Sequence, residues 1–204
     1  MMSTVISILA FVVAIAAHEL AHAWAALALG DTTARSSGRM TLNPIAHIDI
    51  FGTVIIPVVL ILTRFPVIFG WAKPIPVDPS NFVSPRKGMM LTSAAGPLAN
   101  FLLAGIFSLL FKTMVIGGFL PRIVGAFLIY SIMINVVLGL FNLIPIPPLD
   151  GSNILAGFLP REVSALYMKT SKYGFWVLAA LLYLGVFEKI VMPLAVSIMR
   201  FLAG

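Results

Sequence analysis

The sequence predicts an all-α, polytopic membrane protein with about five hydrophobic segments. Of its 204 residues, 60% are hydrophobic and 10% are charged, and its mean hydropathy is +1.08. A soluble domain carries about 25% charged residues. Apolar stretches long enough to cross a bilayer alternate with short polar connections. We therefore expect a single domain over residues 1–204, integral to the lipid bilayer, with four to six hydrophobic segments.

The charge pattern excludes some partners and some kinds of site. The net charge is +6, but the basic residues are spread through the connecting segments, which suits loops facing anionic lipid. A nucleic-acid-binding face would need a clustered basic patch, so we expect no nucleic acid partner. The chain contains no cysteine. Any metal site must therefore use histidine and carboxylate side chains.

The first apolar segment, roughly residues 4–29, contains the motif HELAH at residues 18–22. Residues four apart share one face of a helix, so His18 and His22 can bind one zinc ion. Glu19 lies about one residue's rotation away, within reach of a water molecule as a general base. An ionisable group at membrane depth indicates a functional site. The structural alternative is a histidine pair that hydrogen-bonds neighbouring helices.

A small β-hairpin is predicted after the first segment. Residues 32–35 and 39–42 are β-prone runs on either side of Ser36, Ser37 and Gly38, which is typical of a hairpin. An unpaired edge there could accept an extended peptide by strand addition. The alternative is an ordinary connecting hairpin.

The next two stretches are interrupted by proline. Residues 50–69 are apolar but contain Pro57, Arg64 and Pro66, so this segment either spans the membrane or re-enters it as a bent element. Residues 70–88 contain four prolines, which predicts an extended rather than helical connection.

Two further spans are predicted at residues 89–115 and 123–144. Near the start of the first, small residues permit the close approach of another backbone. Asn100 is a lone amide there and needs a partner, either a neighbouring helix or a substrate. In the second, Asn135 and Asn142 are two turns apart and share a face.

The remaining residues combine a proline-rich exit with helical segments. Prolines after residue 144 forbid a regular helix, and Gly151 allows a sharp turn after Asp150. We expect a short helix over residues 152–159 and an amphipathic, interfacial helix over residues 161–173. Residues 175–202 are either one tilted helix or two shorter pieces, with the Glu188–Lys189 pair at a membrane boundary.

A catalytic zinc ion needs a third protein ligand besides the two histidines. Asp150 alone among the remaining carboxylates follows a membrane span, on a segment that can return toward the bilayer. The physical argument favours Asp150 as the third ligand about as strongly as it favours all the other candidates together. Those other candidates are Asp31, His47, Asp49, Asp78, Glu162 and Glu188.

Two motifs together carry a resemblance to a known family. HELAH in one apolar segment, with NxxPxxxLDG at residues 142–151, resembles the site-2 protease family of intramembrane zinc metalloproteases. Residues 38–44, 70–74 and 95–100 also resemble bacterial and archaeal members, and the resemblance covers roughly residues 10–155. The chain differs from larger members in leaving no room for a PDZ or CBS domain, and no span precedes HELAH.

The resemblance implies one catalytic Zn²⁺ and assigns roles to individual residues. The implied zinc ligands are His18, His22 and Asp150. Glu19 would be the general base and later the proton donor. Asn142 would lie near the scissile carbonyl, and Asn100 is a weaker candidate for substrate binding. The substrate would be a membrane-spanning protein, cut within or near its transmembrane segment in regulated intramembrane proteolysis.

Two other functions compete with this interpretation. A polytopic transporter or channel with an intramembrane metal site would also contain Pro-broken spans and buried polar groups, although the sequence shows no internal repeat. An inactive relative acting as a binding scaffold would not need a base beside the metal, whereas Glu19 is present.

Overall fold

A computed structural model describes residues 2–63 and 71–204, and the regular secondary structure within these ranges is helical. The α-helices are α1 (Met2–Ala28), α2 (Thr33–Ser36), α3 (Ile56–Leu62), α4 (Pro85–Ile116), α5 (Arg122–Asn142), α6 (Asp150–Phe158), α7 (Arg161–Met168), α8 (Ser171–Tyr183) and α9 (Met192–Ala203). Short 3₁₀ turns lie at Pro44–His47 and Pro79–Asn81, and π-helical turns at Ile50–Ile55 and Phe187–Val191.

Helices α1, α4 and α5 form the centre of the protein and pack against one another. Helix α6 packs on α4, and α9 packs on α4 and α5. The contact of α4, α5 and α9 is built from the buried side chains of Ala104, Val136 and Ala195. Small side chains at such contacts allow helix axes to approach closely without a hydrophobic force between them.

Among the described residues, three helices are long and apolar enough to cross a membrane: α1, α4 and α5. The chain bends by 67° between Ser171–Tyr183 and Phe187–Ala203, and this pair adds a fourth span if its two halves cross the membrane as one. The described residues therefore support three or four spans rather than the predicted five. Of the stretch 50–69, the structure describes a π-turn and the short α3, while residues 64–70 lie outside the described residues.

The predicted β-hairpin is wrong for the described part of the chain, in which no strand occurs. Residues 33–36 form α2 instead. The carboxylate of Asp31 accepts a hydrogen bond from the N–H of Thr33 at 3.0 Å, which starts a helical turn. The N–H of Arg39 donates to the carbonyl of Ala34 and closes it. These local hydrogen bonds outweigh the β-propensity of a short run of Thr and Arg.

The residues 71–78, which we call the strap, have no regular secondary structure and lie across other elements. Their backbone is held by the carbonyls of Gly52 and His47, which accept from the N–H groups of Trp71 and Lys73. The guanidinium of Arg39 donates to the carbonyl of Lys73 at 2.8 Å. The strap is thereby fixed at its first half to the irregular region that follows α1.

The second half of the strap is fixed by the buried carboxylate of Asp31, just beyond α1. It accepts from the N–H of Asp78 at 2.9 Å and from the amide of Asn81 at 2.8 Å. The hydroxyl and the N–H of Thr33 supply two more donors. Burial raises the pKa of Asp31, but these hydrogen bonds favour the charged form and hold its pKa below the ordinary value.

Candidate metal centre

The HELAH residues lie on the inner face of α1, where they are shielded from solvent and lipid. His18, Glu19 and His22 are 4%, 9% and 7% exposed. One helical turn separates the two histidines, so their rings meet edge to face with centroids 4.5 Å apart. The nitrogen atoms Nε2 of the two rings are 3.0 Å apart.

The second ring nitrogen of each histidine, Nδ1, faces a hydrogen-bond acceptor and donates to it. Nδ1 of His22 lies 2.7 Å from the carbonyl oxygen of Thr92, which can only accept. Nδ1 of His18 lies 2.7 Å from Oδ1 of Asn100. In a neutral imidazole only one nitrogen carries a proton, so both Nε2 atoms point unprotonated lone pairs at the same space.

Asp150 adds a carboxylate oxygen to this space. Its Oδ2 lies 3.1 Å from Nε2 of His18 and 3.2 Å from Nε2 of His22. This oxygen is buried and has no hydrogen-bond donor. Asp150 reaches this position because α6 begins there, after a proline-rich turn from the end of α5.

Gly151 lets α6 approach the end of α5 closely. A Cβ at this position would collide with the backbone carbonyls of Leu143 and Ile144. Gly151 is helical here, so it provides close approach rather than the predicted sharp turn. Any larger residue would push the first turn of α6, and with it Asp150, away from the histidines.

Three acceptor atoms with no donor between them fit a bound cation. The group of His18, His22 and Asp150 is the set of three potential ligands that the described residues bring together. Ligands about 2.1 Å from a tetrahedral zinc ion lie roughly 3.4 Å from one another, close to the distances observed. Without a positive ion the three lone pairs would repel, and the buried carboxylate oxygen would lack any partner. The donor set of two imidazoles and one carboxylate is that of a catalytic rather than a structural zinc site.

Glu19 is held by the strap. Its Oε2 accepts a hydrogen bond from the backbone N–H of Ile75 at 3.1 Å. Ile75 is itself 9% exposed and packs against Ala23 of α1. The strap therefore determines the position of the side chain predicted to act as the general base.

Gly96 of α4 faces the two imidazole rings. A Cβ at residue 96 would lie 2.5 Å from Cε1 and Nε2 of His22 and 2.6 Å from Cε1 of His18. The small residues of this stretch were predicted to admit another backbone, and at residue 96 they admit the histidine rings. The missing side chain gives both rings the room to converge.

The two asparagines predicted to bind substrate have different surroundings. Asn142 is partly buried and donates to the carbonyl of Leu138 in its own helix at 3.0 Å. Asn100 is fully buried and contacts His18. Its role as a substrate contact stays a prediction. The sequence signal that could have identified its partner was Asn135, a second amide in an apolar helix.

Comparison with known proteins gives concordant matches. The sequence profile described as "Peptidase family M50" matches residues 114–185, a range that includes Asn142 and Asp150 but not HELAH. "Putative zinc metalloprotease YwhC" of Bacillus subtilis (strain 168) is 41% identical over 180 residues, which cover 85% of this chain and 78% of that protein.

Two more distant relatives have names of the same kind. "Putative zinc metalloprotease Rip2" of Mycolicibacterium smegmatis is 27% identical, over 81% of this chain and 61% of the relative. "Zinc metalloprotease MJ0392" of Methanocaldococcus jannaschii is 36% identical over 43% of this chain and 24% of the relative. No solved structure gives a significant match.

Proposed function

The chain belongs to peptidase family M50, the site-2 type of zinc metalloprotease, and on that premise we propose that it cleaves membrane-spanning proteins inside or beside the bilayer. The reaction is hydrolysis of a peptide bond within or near a transmembrane segment. The product is a fragment released from the membrane, as in regulated intramembrane proteolysis. The protein acts as a multi-pass, single-domain enzyme.

One observation carries this proposal: the convergence of three potential ligand atoms among long apolar helices. Nε2 of His18, Nε2 of His22 and Oδ2 of Asp150 lie 3.0 to 3.2 Å apart. We assign these three side chains as the zinc ligands. His18 and His22 lie on the apolar helix α1, and Asp150 lies on the short α6, which packs on the apolar helix α4. A metal site in such surroundings can act on a peptide bond that a soluble protease could not reach.

The residues around the metal divide the chemistry. A zinc ion held by His18, His22 and Asp150 would supply Lewis-acid polarisation of the scissile carbonyl and would activate a water molecule. Glu19 is the base that takes a proton from the attacking water and delivers it to the leaving nitrogen. The strap keeps one oxygen of Glu19 hydrogen-bonded, which limits the rotation of the carboxylate. Asn142 stabilises the developing negative charge on the carbonyl oxygen.

Water and an unwound substrate must both reach the site. A helical substrate hides its peptide bonds in backbone hydrogen bonds and must open locally before it can be cut. Polar groups exposed in the bilayer are costly, so the opened segment must be received by the protein and not by lipid. We assign the reception of the opened segment to the partly buried end of α5. Asn142 lies there, in the same proline-containing motif as Asp150.

The test is cleavage of a single-span membrane protein by the purified enzyme in detergent. We expect wild type to cut it and Glu19→Gln to retain zinc while losing roughly a hundredfold to ten-thousandfold in turnover. Zinc content is measured on both proteins by metal analysis. Cleavage by Glu19→Gln at the wild-type rate would contradict the assignment of the base. Zinc binding without cleavage of any membrane substrate would favour a transporter or scaffold.

A further inference from the structure

Two asparagines lie completely buried in the apolar centre of the protein. Asn100 on α4 and Asn135 on α5 are both 0% exposed. Burying an amide costs free energy unless each of its polar atoms finds a partner. The partners of these two amides form a chain that leads to His18.

The direction of this chain is determined by backbone carbonyls, which can only accept. Nδ2 of Asn135 donates to the carbonyl of Ser131 at 2.8 Å, so Oδ1 of Asn135 faces α4. That oxygen accepts from Nδ2 of Asn100 at 2.9 Å. Nδ2 of Asn100 also donates to the carbonyl of Ala14 at 3.2 Å. Both amides are therefore held in one of their two possible orientations.

This orientation presents only an acceptor to His18. Oδ1 of Asn100 lies 2.7 Å from Nδ1 of His18, so the ring proton sits on Nδ1. Nε2 is then unprotonated and faces Asp150 at 3.1 Å. If the amide of Asn100 were reversed, its NH₂ group would face Nδ1 and favour the other tautomer, with a proton on Nε2.

The two histidines thus differ in how they are oriented. His22 is held by the backbone carbonyl of Thr92, which no substitution of that side chain removes. His18 is held by the side chain of Asn100 on α4, which Asn135 on α5 orients in turn. Partners of this kind commonly change metal affinity roughly 10- to 100-fold when they are removed.

We propose that Asn135 and Asn100 are positioning residues, forming a relay across α5, α4 and α1 that sets the tautomer and ring orientation of His18. The proposal rests on the proposed function, because it requires His18 to be a zinc ligand. Asn135 acts through Asn100 and touches neither metal nor substrate. The relay also explains why two amides are buried in an otherwise apolar helix contact.

The experiment measures zinc affinity of the full chain in detergent by competition with a chromogenic chelator. We expect Asn100→Leu to weaken zinc binding roughly 10- to 100-fold. For Asn135→Leu we expect a loss near the lower end of that range, since Ala14 still accepts from Asn100. Asn135→Ala replaces the leucine variant if the latter does not fold, as judged by circular dichroism and gel filtration.

Two matched variants separate the relay from packing. Asn135→Asp keeps an acceptor for Nδ2 of Asn100 in either protonation state, so it should retain zinc affinity within about threefold of wild type. Ser131→Ala removes a buried hydroxyl that has no hydrogen-bond partner but leaves the backbone carbonyl, so zinc affinity should not change.

Each outcome decides the proposal. Weaker binding in Asn135→Leu, with recovery in Asn135→Asp, supports the relay. Equal losses in Asn135→Leu and Asn135→Asp, or no loss in Asn135→Leu, overturn it. If wild type binds zinc but cuts no membrane substrate, the proposed function fails while the affinities still test the relay. If wild type binds no zinc, both fail.

Discussion

Two carboxylates near α1, those of Asp31 and Asp150, have opposite surroundings. Asp31, beyond the end of α1, accepts hydrogen bonds from Thr33, Asn81 and Asp78. Oδ2 of Asp150, on α6, faces the two imidazole nitrogens of α1 and has no donor at all. A carboxylate whose oxygens are fully satisfied by the protein holds the fold together. A carboxylate left unsatisfied among other acceptors is suited to a cation from outside the chain.

The difference extends to the segments that the two carboxylates organise. The region around Asp31 consists of irregular backbone, whose polar groups are paired one by one with side chains and carbonyls. The histidines that face Asp150 lie on the long regular helix α1, whose backbone is already paired, so their side chains are left to converge on the carboxylate. We therefore expect substitutions in the two regions to affect stability and metal binding separately.

The largest effect should come from filling the space beside the histidines. In Gly96→Ala the new Cβ would lie 2.5 Å from the ring of His22 and 2.6 Å from that of His18. Since both rings are held by hydrogen bonds from Nδ1, they cannot retreat without losing one. We expect zinc and proteolysis to be lost, measured by metal analysis and substrate cleavage.

Gly105→Ala is the matched control in the same helix, because no atom lies within 4 Å of its added Cβ. It should bind zinc normally and gain about 0.5–1 kcal/mol of stability from helix propensity. Normal zinc content in Gly96→Ala would show that the site tolerates displaced rings and would contradict the close-approach argument.

A second comparison replaces each carboxylate by its amide. Asp150→Asn should lose zinc, because a neutral amide is a poor ligand, while the metal-free protein keeps its thermal midpoint. Asp31→Asn should keep zinc and melt earlier. Its NH₂ group would face donors of the strap, at a cost of about 1–3 kcal/mol. Thermal melting in detergent and zinc analysis on both variants check this crossed pattern; a loss of zinc in both would mean that the strap and the metal site are one cooperative unit.

The strap should also respond to acid. The pKa of Asp31 is lowered in the folded protein, so its contribution is fully present above its unfolded value of about 3.9. That contribution is lost as pH falls through the lowered folded pKa. The difference in melting temperature between wild type and Asp31→Asn should thus be constant from about pH 7 to 5 and shrink below about pH 4. A difference that grows on acidification would reverse the sign and refute the assignment.

The smallest effect should come from Thr92→Ala. His22 is oriented by the backbone carbonyl of Thr92, which the substitution retains. The threonine hydroxyl is buried without a hydrogen-bond partner, so its removal costs little. Zinc affinity should stay within about twofold of wild type. A large loss would indicate that the hydroxyl contributes through a contact that the structure does not contain.

Much of the helical architecture was predictable because membrane helices have strong local signals. The stretches predicted at residues 4–29, 89–115 and 123–144 correspond to α1, α4 and α5. The predicted hairpin was wrong, because the weak β-propensity of residues 32–35 competes with the carboxylate of Asp31, which starts a helical turn at Thr33. The described residues support three or four spans, and residues 64–70 of the apolar stretch predicted at 50–69 lie outside them, so the predicted count of five stays a prediction.

The sequence by itself determined the helical face that carries His18 and His22, since helical spacing places residues four apart on one side. It also determined the all-α membrane class through hydropathy, and the family through its two motifs. Only the tertiary structure decided which carboxylate meets the histidines, because Asp150 is 128 residues beyond His22 in the sequence, and the packing of α6 on α4 brings it there. The same applies to Gly96, Asn135 and the N–H of Ile75. Their contacts with the site are long-range, and no local pattern encodes which distant groups a fold will bring together.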